Sequence, residues 1–335
     1  MKSRTGAAGF LTLLVCATAW LSFFGPAVVH AQQTGKAKRI VYVVQQSSAG
    51  FQARLACFKE GLGQLGWTEG RTIEIEVRSA EGRLEALPGL AEEINRLKPD
   101  LVVTTGTPQS QVMQRLIRDT PVVFMMVSDP VASGIVKSLA RPEANVTGFS
   151  NFLPATTAKL LEFIKTAVPG VSRVAFPYDA GNAGKRLELQ ELRAGAPLAG
   201  VTIEPHEMRS PEDIEKVFAA MAKSPPGALI IPTDSMSLGA MQRFVAFAAK
   251  IRRPAIYQSK EYVEAGGLMS YGLDVCRHYR SGAGHVDKIL RGAKPGDLPV
   301  ELPTTFEFVV NRKTATALGL KLPASLLARA DRVIE

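Results

Sequence analysis

Residues 100–130 read DLVVTTGTPQSQVMQRLIRDTPVVFMMVSDP, and the fold follows from how this stretch is parsed. It contains two apolar runs rich in β-branched residues, 101–105 and 121–127, each too short for a helix. The runs lead into Thr107-Pro108 and Asp129-Pro130. A short polar side chain that accepts a backbone N–H, followed by a proline whose missing N–H costs nothing at the first helical position, is a helix start signal. Strand therefore feeds helix twice, the second time into a short helix expected to reach Ala140. Helices that begin at the carboxyl ends of parallel strands aim their free N–H groups into one crevice, where anions and polar ligands bind. The stretch predicts half of a ligand site.

Upstream, 39–45 (RIVYVVQ) reads as a buried strand. A helix follows over 51–65, with Leu55, Phe58, Leu62 and Leu65 three or four apart. Residues 61–66 match the dinucleotide fingerprint G-x-G-x-x-G, but at a helix end, where that motif has no function. Strand 72–78 alternates in polarity and helix 84–97 follows, so the order up to Val127 is β-α-β-α-β-α-β. This order predicts a parallel sheet covered on both faces. A strand-like passage over 145–150 leads to a second lobe of the same kind. There, helices are expected over 156–168, 184–198, 236–250 and 275–291, and strands over 173–177, 201–205, 228–232, 254–258 and 306–311. Ser210-Pro211-Glu212-Asp213 opens a further helix with Ile214, Val217, Phe218 and Met221 on one face. The predicted fold class is α/β, with two Rossmann-like lobes of parallel sheet forming a hinged clamshell. Lobe 1 is expected over 38–147 plus 268–300, and lobe 2 over 148–267 plus 301–335.

The 335 residues are 46% hydrophobic and 21% charged, a globular composition with room for two cores. Lys2 and Arg4, an apolar run over 10–29 broken by Gly25-Pro26, and Val29-His30-Ala31 together predict a cleavable export signal over 1–31. An uncleaved anchor is the weaker reading, because no basic stop-transfer flank follows closely. The formal net charge of +9 is spread over separate elements without a basic stripe or interleaved aromatics, which argues against nucleic acid as a partner. Beyond the leader the chain keeps two cysteines, Cys57 and Cys276, and leaves open whether they pair.

Loops that follow predicted strands should meet between the lobes. From lobe 1 these offer Gln46, Ser47, Thr105, Gly106, Thr107, Ser128 and Asp129. From lobe 2 they offer Asn182 in the loop 179–184, and Thr233 and Asp234. Asp234 follows a strand-ending proline and has no proline after it to mark it as a cap, so it is the expected partner of a ligand ammonium. Asp129 reads first as a cap. Tyr257, Tyr178 and Tyr271 lie at strand ends where a ring could cover an apolar part of a ligand. No metal and no cofactor is expected: Cys276, His278 and His285 lie along one predicted helix without a further ligand. Leu268-Met269-Ser270-Tyr271-Gly272 resembles a nucleophile elbow with its first glycine missing, which leaves hydrolysis as a remote alternative.

Several long passages resemble the ABC-transporter substrate-binding family associated with tryptophan and tyrosine uptake. These are 62–70 (LGQLGWTEG), 103–108 (VTTGTP), 128–131 (SDPV), 138–148, 262–272 (YVEAGGLMSYG), 286–295 (VDKILRGAKP) and the tail from 306 to 335. The resemblance implies a periplasmic binding protein of type I, with two lobes joined by three hinge crossings. It implies no enzymatic activity, and delivery of an amino acid or small aromatic carboxylate to a cognate permease, with the chain acting as a monomer. Aromatic amino acids, known ligands of related proteins, would set their carboxylate against the helix starts at Thr107 and Asp129 and their ammonium against Asp234. The loop at 178–182 departs from the Asn-Pro-like form of many relatives. A ligand-sensing module built on the same closure is the alternative role.

Overall fold

The computed structural model describes residues 36–151 and 154–335, and residues 37–335 form one compact unit. The export signal expected over 1–31 lies outside the described residues. The first lobe is built from β1 (Lys38–Val44), α1 (Ala49–Gln64), β2 (Ile73–Ser79), α2 (Leu87–Leu97), β3 (Leu101–Thr105), α3 (Thr107–Leu116), β4 (Val122–Val127) and β5 (Val146–Ser150). Its five strands run parallel in the order β2-β1-β3-β4-β5. Alternation along β1 shows why both faces are apolar. Ile40, Tyr42 and Val44 pack with Phe51, Phe58 and Leu62 of α1, whereas Val41 and Val43 pack with Leu87, Ala91 and Ile94 of α2. A strand covered on both faces needs a continuous apolar run, which is what 101–105 and 122–127 supply.

The second lobe contains α4 (Pro154–Ala167), β6 (Arg173–Asp179), α5 (Ala183–Ala199), β7 (Thr202–Met208), α6 (Asp213–Lys223), β8 (Ala228–Ile231), α7 (Ser235–Gly239), α8 (Met241–Lys250), β9 (Ala255–Tyr257), α9 (Lys260–Glu264) and β10 (Met269–Leu273). The chain then returns to the first lobe through α10 (Val275–Leu290), which packs its Val275, Tyr279, Ala283 and Val286 into the core beside α1. Trp67 Nε1 donates to Asp287 at 2.8 Å across the same seam. A disulfide joins Cys57 of α1 to Cys276 of α10, which settles the pairing that sequence left open. A third crossing, after Glu301 has bridged to Phe149, leads to β11 (Phe306–Asn311), α11 (Arg312–Ala317), α12 (Ala324–Leu327) and β12 (Arg332–Ile334). The second sheet has the order β12-β11-β10-β9-β8-β6-β7. Three crossings between two α/β lobes are the layout of a hinged clamshell.

Several expectations are corrected. β5 completes the first sheet, so the first crossing falls after Ser150 rather than after residue 147. β10 pairs with β9 and β11, so residues 269–273 belong to the second lobe and the return to lobe 1 begins at α10. The β10–β11 pair is antiparallel, an exception in otherwise parallel sheets. No helix follows Asp129-Pro130: Asp129 Oδ1 accepts the Ala132 N–H at 2.9 Å and the chain turns at once. The helix expected over 236–250 breaks at Ala240 into α7 and α8. Which sheet edge a strand joins depends on partners distant in sequence, so periodicity does not carry it.

Candidate functional site between the lobes

The two lobes are closed on each other, and glycines allow close approach at two points. A Cβ placed on Gly184, in the first turn of α5, would lie 2.6 Å from Ser128 Cβ and 2.7 Å from Thr107 Oγ1 of the opposite lobe. One placed on Gly239 would lie 2.6 Å from Gln46 Oε1. Between these contacts lie two adjoining compartments with empty volumes of about 370 and 400 Å³, mouths included. Met126, Ser128, Asn151, Lys185 and Thr233 line both. Met126 reaches this position because the β4–β5 register shifts beyond Phe124 and its own backbone enters the left-handed region at φ +58°. A non-glycine residue held there is strained, and such strain collects at functional sites.

The inner compartment is polar. Thr105, Gly106 and Thr107 line it from lobe 1, and Asn182, Thr233 and Asp234 from lobe 2, so these six expected residues are brought together with Ser128. Most of them are already engaged. Thr105 Oγ1 shares a hydrogen bond with Tyr42 Oη at 2.7 Å, Thr107 Oγ1 accepts the Ser128 N–H at 3.2 Å, and Asn182 Oδ1 caps α5 by accepting the Gly184 N–H at 3.0 Å. Asp234 is, against expectation, a full cap: its Oδ1 accepts the Ser237 N–H at 2.8 Å while the Asp234 N–H donates to Ser237 Oγ at 3.0 Å. Its second oxygen, Oδ2, is buried without a partner, as is Thr233 Oγ1.

Four expected residues fall outside the lining. Gln46 sits on the lobe seam against Gly239, and Ser47 accepts from Gln52 Nε2 at 3.1 Å. Asp129 caps its turn. Tyr257 is buried within lobe 2, its ring stacked on Tyr262 at 4.8 Å. Ser270, the imagined nucleophile, lies inside strand β10 and is buried, and Cys276 is consumed by the disulfide.

The residues that sequence reasoning missed are those left unpaired. Arg54 of α1 lines the inner compartment, is 6% exposed, and has buried Nε and Nη2 without partners. Gln109, in the first turn of α3, is fully buried with both amide atoms free. Asp179, at the end of β6, is fully buried with Oδ2 free. Burial and, next, the charge of Asp234 push its carboxyl up to about 7. The Asp234 carboxyl is raised too, chiefly by burial, with Lys185 opposing. One readable signal existed for Arg54: it shares the helical face of Phe51, Leu55 and Phe58, where a cation has no place in an ordinary core.

The outer compartment differs. Tyr271, Phe306 and Leu273 line it beside Met126, and the Tyr271 and Phe306 rings stack 5.7 Å apart. Its polar groups satisfy one another. Lys185 Nζ lies 2.7 Å from Glu188 Oε2, both side chains almost wholly buried, Gln258 Nε2 donates to Glu188 Oε1, and the Thr233 N–H donates to Gln258 Oε1 at 2.9 Å. The cleft therefore has an unsatisfied charged end and a self-satisfied aromatic end.

The chain is similar to known proteins over most of its length. Residues 40–334 match the family described as ABC transporter substrate binding protein. A protein named Tyrosine-binding protein, from Clostridioides difficile (strain R20291), is 25% identical over 265 residues, covering 79% of this chain and 76% of the relative. The crystal structure of an ABC domain in complex with L-Trp, from Streptococcus pneumonia, superposes with a TM-score of 0.83 at 26% identity, covering 89% of this chain and all of that one. A conserved domain protein from Vibrio cholerae superposes with a TM-score of 0.84, also at 26% identity and with the same coverage. The chain belongs to the ABC transporter substrate-binding protein family.

Proposed function

We propose that this protein is the exported solute-binding component of an ABC importer, that it takes an α-amino acid with an aromatic side chain between its lobes, and that it hands this ligand to a cognate permease. The observation that carries the reading is the division of unpaired groups. The free donors of Arg54 and the free amide of Gln109 belong to lobe 1, and the free oxygens of Asp234 and Thr233 to lobe 2. An α-amino acid carries an anionic and a cationic group on one carbon and would bridge the two sets, carboxylate to Arg54 and Gln109, ammonium to Asp234. The side chain would then lie in the outer compartment against Tyr271, Phe306 and Met126. The Tyrosine-binding relative and the L-Trp complex support the ligand class.

The same division explains closure. Each buried polar group left without a partner costs about 1–3 kcal/mol, so empty closure is disfavoured and a ligand that satisfies both lobes shifts the population to the closed form. Export to the periplasm rests on the leader at 1–31. Among the described residues no helix is long and apolar enough to cross a membrane.

Thermal unfolding against a ligand panel tests this. At a hundred times its dissociation constant a ligand stabilises by about 2.7 kcal/mol, so tryptophan, tyrosine and phenylalanine should each raise the midpoint by several degrees. Benzoate and indole, which lack the zwitterionic head, should not. Equal shifts with benzoate would remove the amino-acid assignment. The variant Arg54→Met should weaken amino-acid binding by roughly 10- to 100-fold, the worth of one charge-assisted contact. Loss of labelled amino-acid uptake in a deletion strain would establish import, whereas intact uptake would favour a sensing role.

A further inference from the structure

We infer that the cleft takes up one proton together with its amino acid, shared between the carboxyl groups of Asp179 and Asp234. The inference rests on the function proposed above and concerns the regulation of the same site. It follows from an inventory of buried charge among the described residues. Lys185 and Glu188 neutralise each other at 2.7 Å. That leaves the Arg54 guanidinium against two carboxyl groups, Asp179 and Asp234, each with Oδ2 buried and unpartnered. A zwitterion brings no net charge, so the closed complex would hold an uncompensated anion in a desolvated site. An isolated buried carboxylate is costly enough that it neutralises instead.

The groups in contact with Asp179 are neutral, and Lys185 acts on Asp234 while already paired with Glu188. Against Asp179, the neighbouring strand β7 presents Met208, the Gly181 N–H donates to Oδ1 at 2.8 Å, and the Gln45 amide approaches from lobe 1. These neutral groups supply hydrogen bonds without a positive charge. Arg186 of α5 donates from Nη1 to the Ala180 carbonyl at 2.6 Å. Around Asp234 lie Lys185 and Glu188 of α5, Ser237 of α7 and the phenol of Tyr262, with Arg54 reaching from lobe 1. Burial holds the Tyr262 phenol protonated beside Ser237. Parting of the lobes would withdraw Gln45 from Asp179 and the lobe 1 wall from Asp234, relieving part of the desolvation that favours the proton.

The sign follows from linkage. A carboxyl whose affinity for protons is higher in the closed form stabilises that form at low pH, and loses this advantage as pH rises through its closed-form value, about 7 for Asp179. Ligand affinity should therefore fall at least tenfold between pH 5 and pH 7 and level off above. An amino acid remains a zwitterion throughout this range. Titration calorimetry of the mature protein with tryptophan at pH 6, in buffers of differing ionisation enthalpy, should count close to one proton absorbed per ligand. Asp179→Asn should absorb none, show a flat affinity profile, and bind more tightly than the unsubstituted protein at pH 8.

Binding without proton uptake and with a flat profile would overturn the inference while leaving the amino-acid site in place. A pH slope that persists in Asp179→Asn would assign the proton elsewhere and overturn it as well. Failure of tryptophan, tyrosine and phenylalanine to bind at any pH would instead remove the parent reading, and this inference with it. The calorimetric count on the unsubstituted protein stands even where the variant does not fold.

Discussion

Replacing Gly184 with valine is expected to abolish tight ligand binding while leaving the fold intact. The position sits in the first turn of α5 with a backbone that other residues adopt, so the substitution strains nothing locally. The difficulty lies across the cleft, where even a Cβ would meet Ser128 Cβ at 2.6 Å and Thr107 Oγ1 at 2.7 Å. Two further methyl groups would wedge the lobes apart and separate Arg54 and Gln109 from Asp234 and Thr233. Micromolar binding corresponds to about 8 kcal/mol; if half is contributed by each lobe, losing one costs about 4 kcal/mol, roughly a thousandfold in Kd. Isothermal titration with tryptophan reads the loss, and the ligand-free unfolding midpoint should move by no more than about 1 kcal/mol in equivalent stability. Gly184→Ala should show the same effect in smaller measure. A valine variant binding within tenfold of the unsubstituted protein would show that full closure is not needed.

Opening the Cys57–Cys276 bond should be the most destabilising single change in the molecule. The cross-link spans 219 residues, and the loop-closure entropy it withholds from the unfolded chain corresponds to about 5 kcal/mol. It fixes the second residue of α10 to α1, at the point where the chain has just re-entered lobe 1. Without it, the return segment is held by packing of α1 against α10 and by the Trp67–Asp287 hydrogen bond. Paired Cys57→Ser and Cys276→Ser substitutions, or reduction by dithiothreitol, should lower the unfolding midpoint by on the order of 10 °C. A change below about 2 °C would mean that the reduced chain already keeps these helices together when unfolded. The bond suits an oxidising compartment, as the export signal expected over 1–31 would require.

Much of the architecture was legible because it is locally encoded. Two-face burial of β3 and β4 requires continuous apolar β-branched runs, and Thr107-Pro108 sets the start of α3 by its own chemistry. Asp129-Pro130 carries a similar signal without starting a helix, because no apolar periodic face follows it. The antiparallel β10–β11 pair, the added strand β12 and the short α9 escaped for a related reason: each is stabilised by partners far along the chain and carries little periodicity of its own. The residue types that mark a cap and those that hold a ligand are the same, so Thr105, Thr107, Asn182 and Asp234 could be placed at the cleft from sequence, while their hydrogen-bond debts could not be assessed.

The amino-acid sequence by itself determined the α/β class, the two lobes, the family resemblance and the loops that face each other. Only the tertiary structure decided the chemistry of the site. It showed Asp234 half spent as a cap, Tyr257 withdrawn into the core, and Arg54, Gln109 and Asp179 buried with side-chain polar atoms left unpartnered. The physical reason is that strand, helix and cap depend on a residue and its near neighbours. An unsatisfied charge, by contrast, is a property of everything that fails to reach it, and that is fixed only when distant segments have packed.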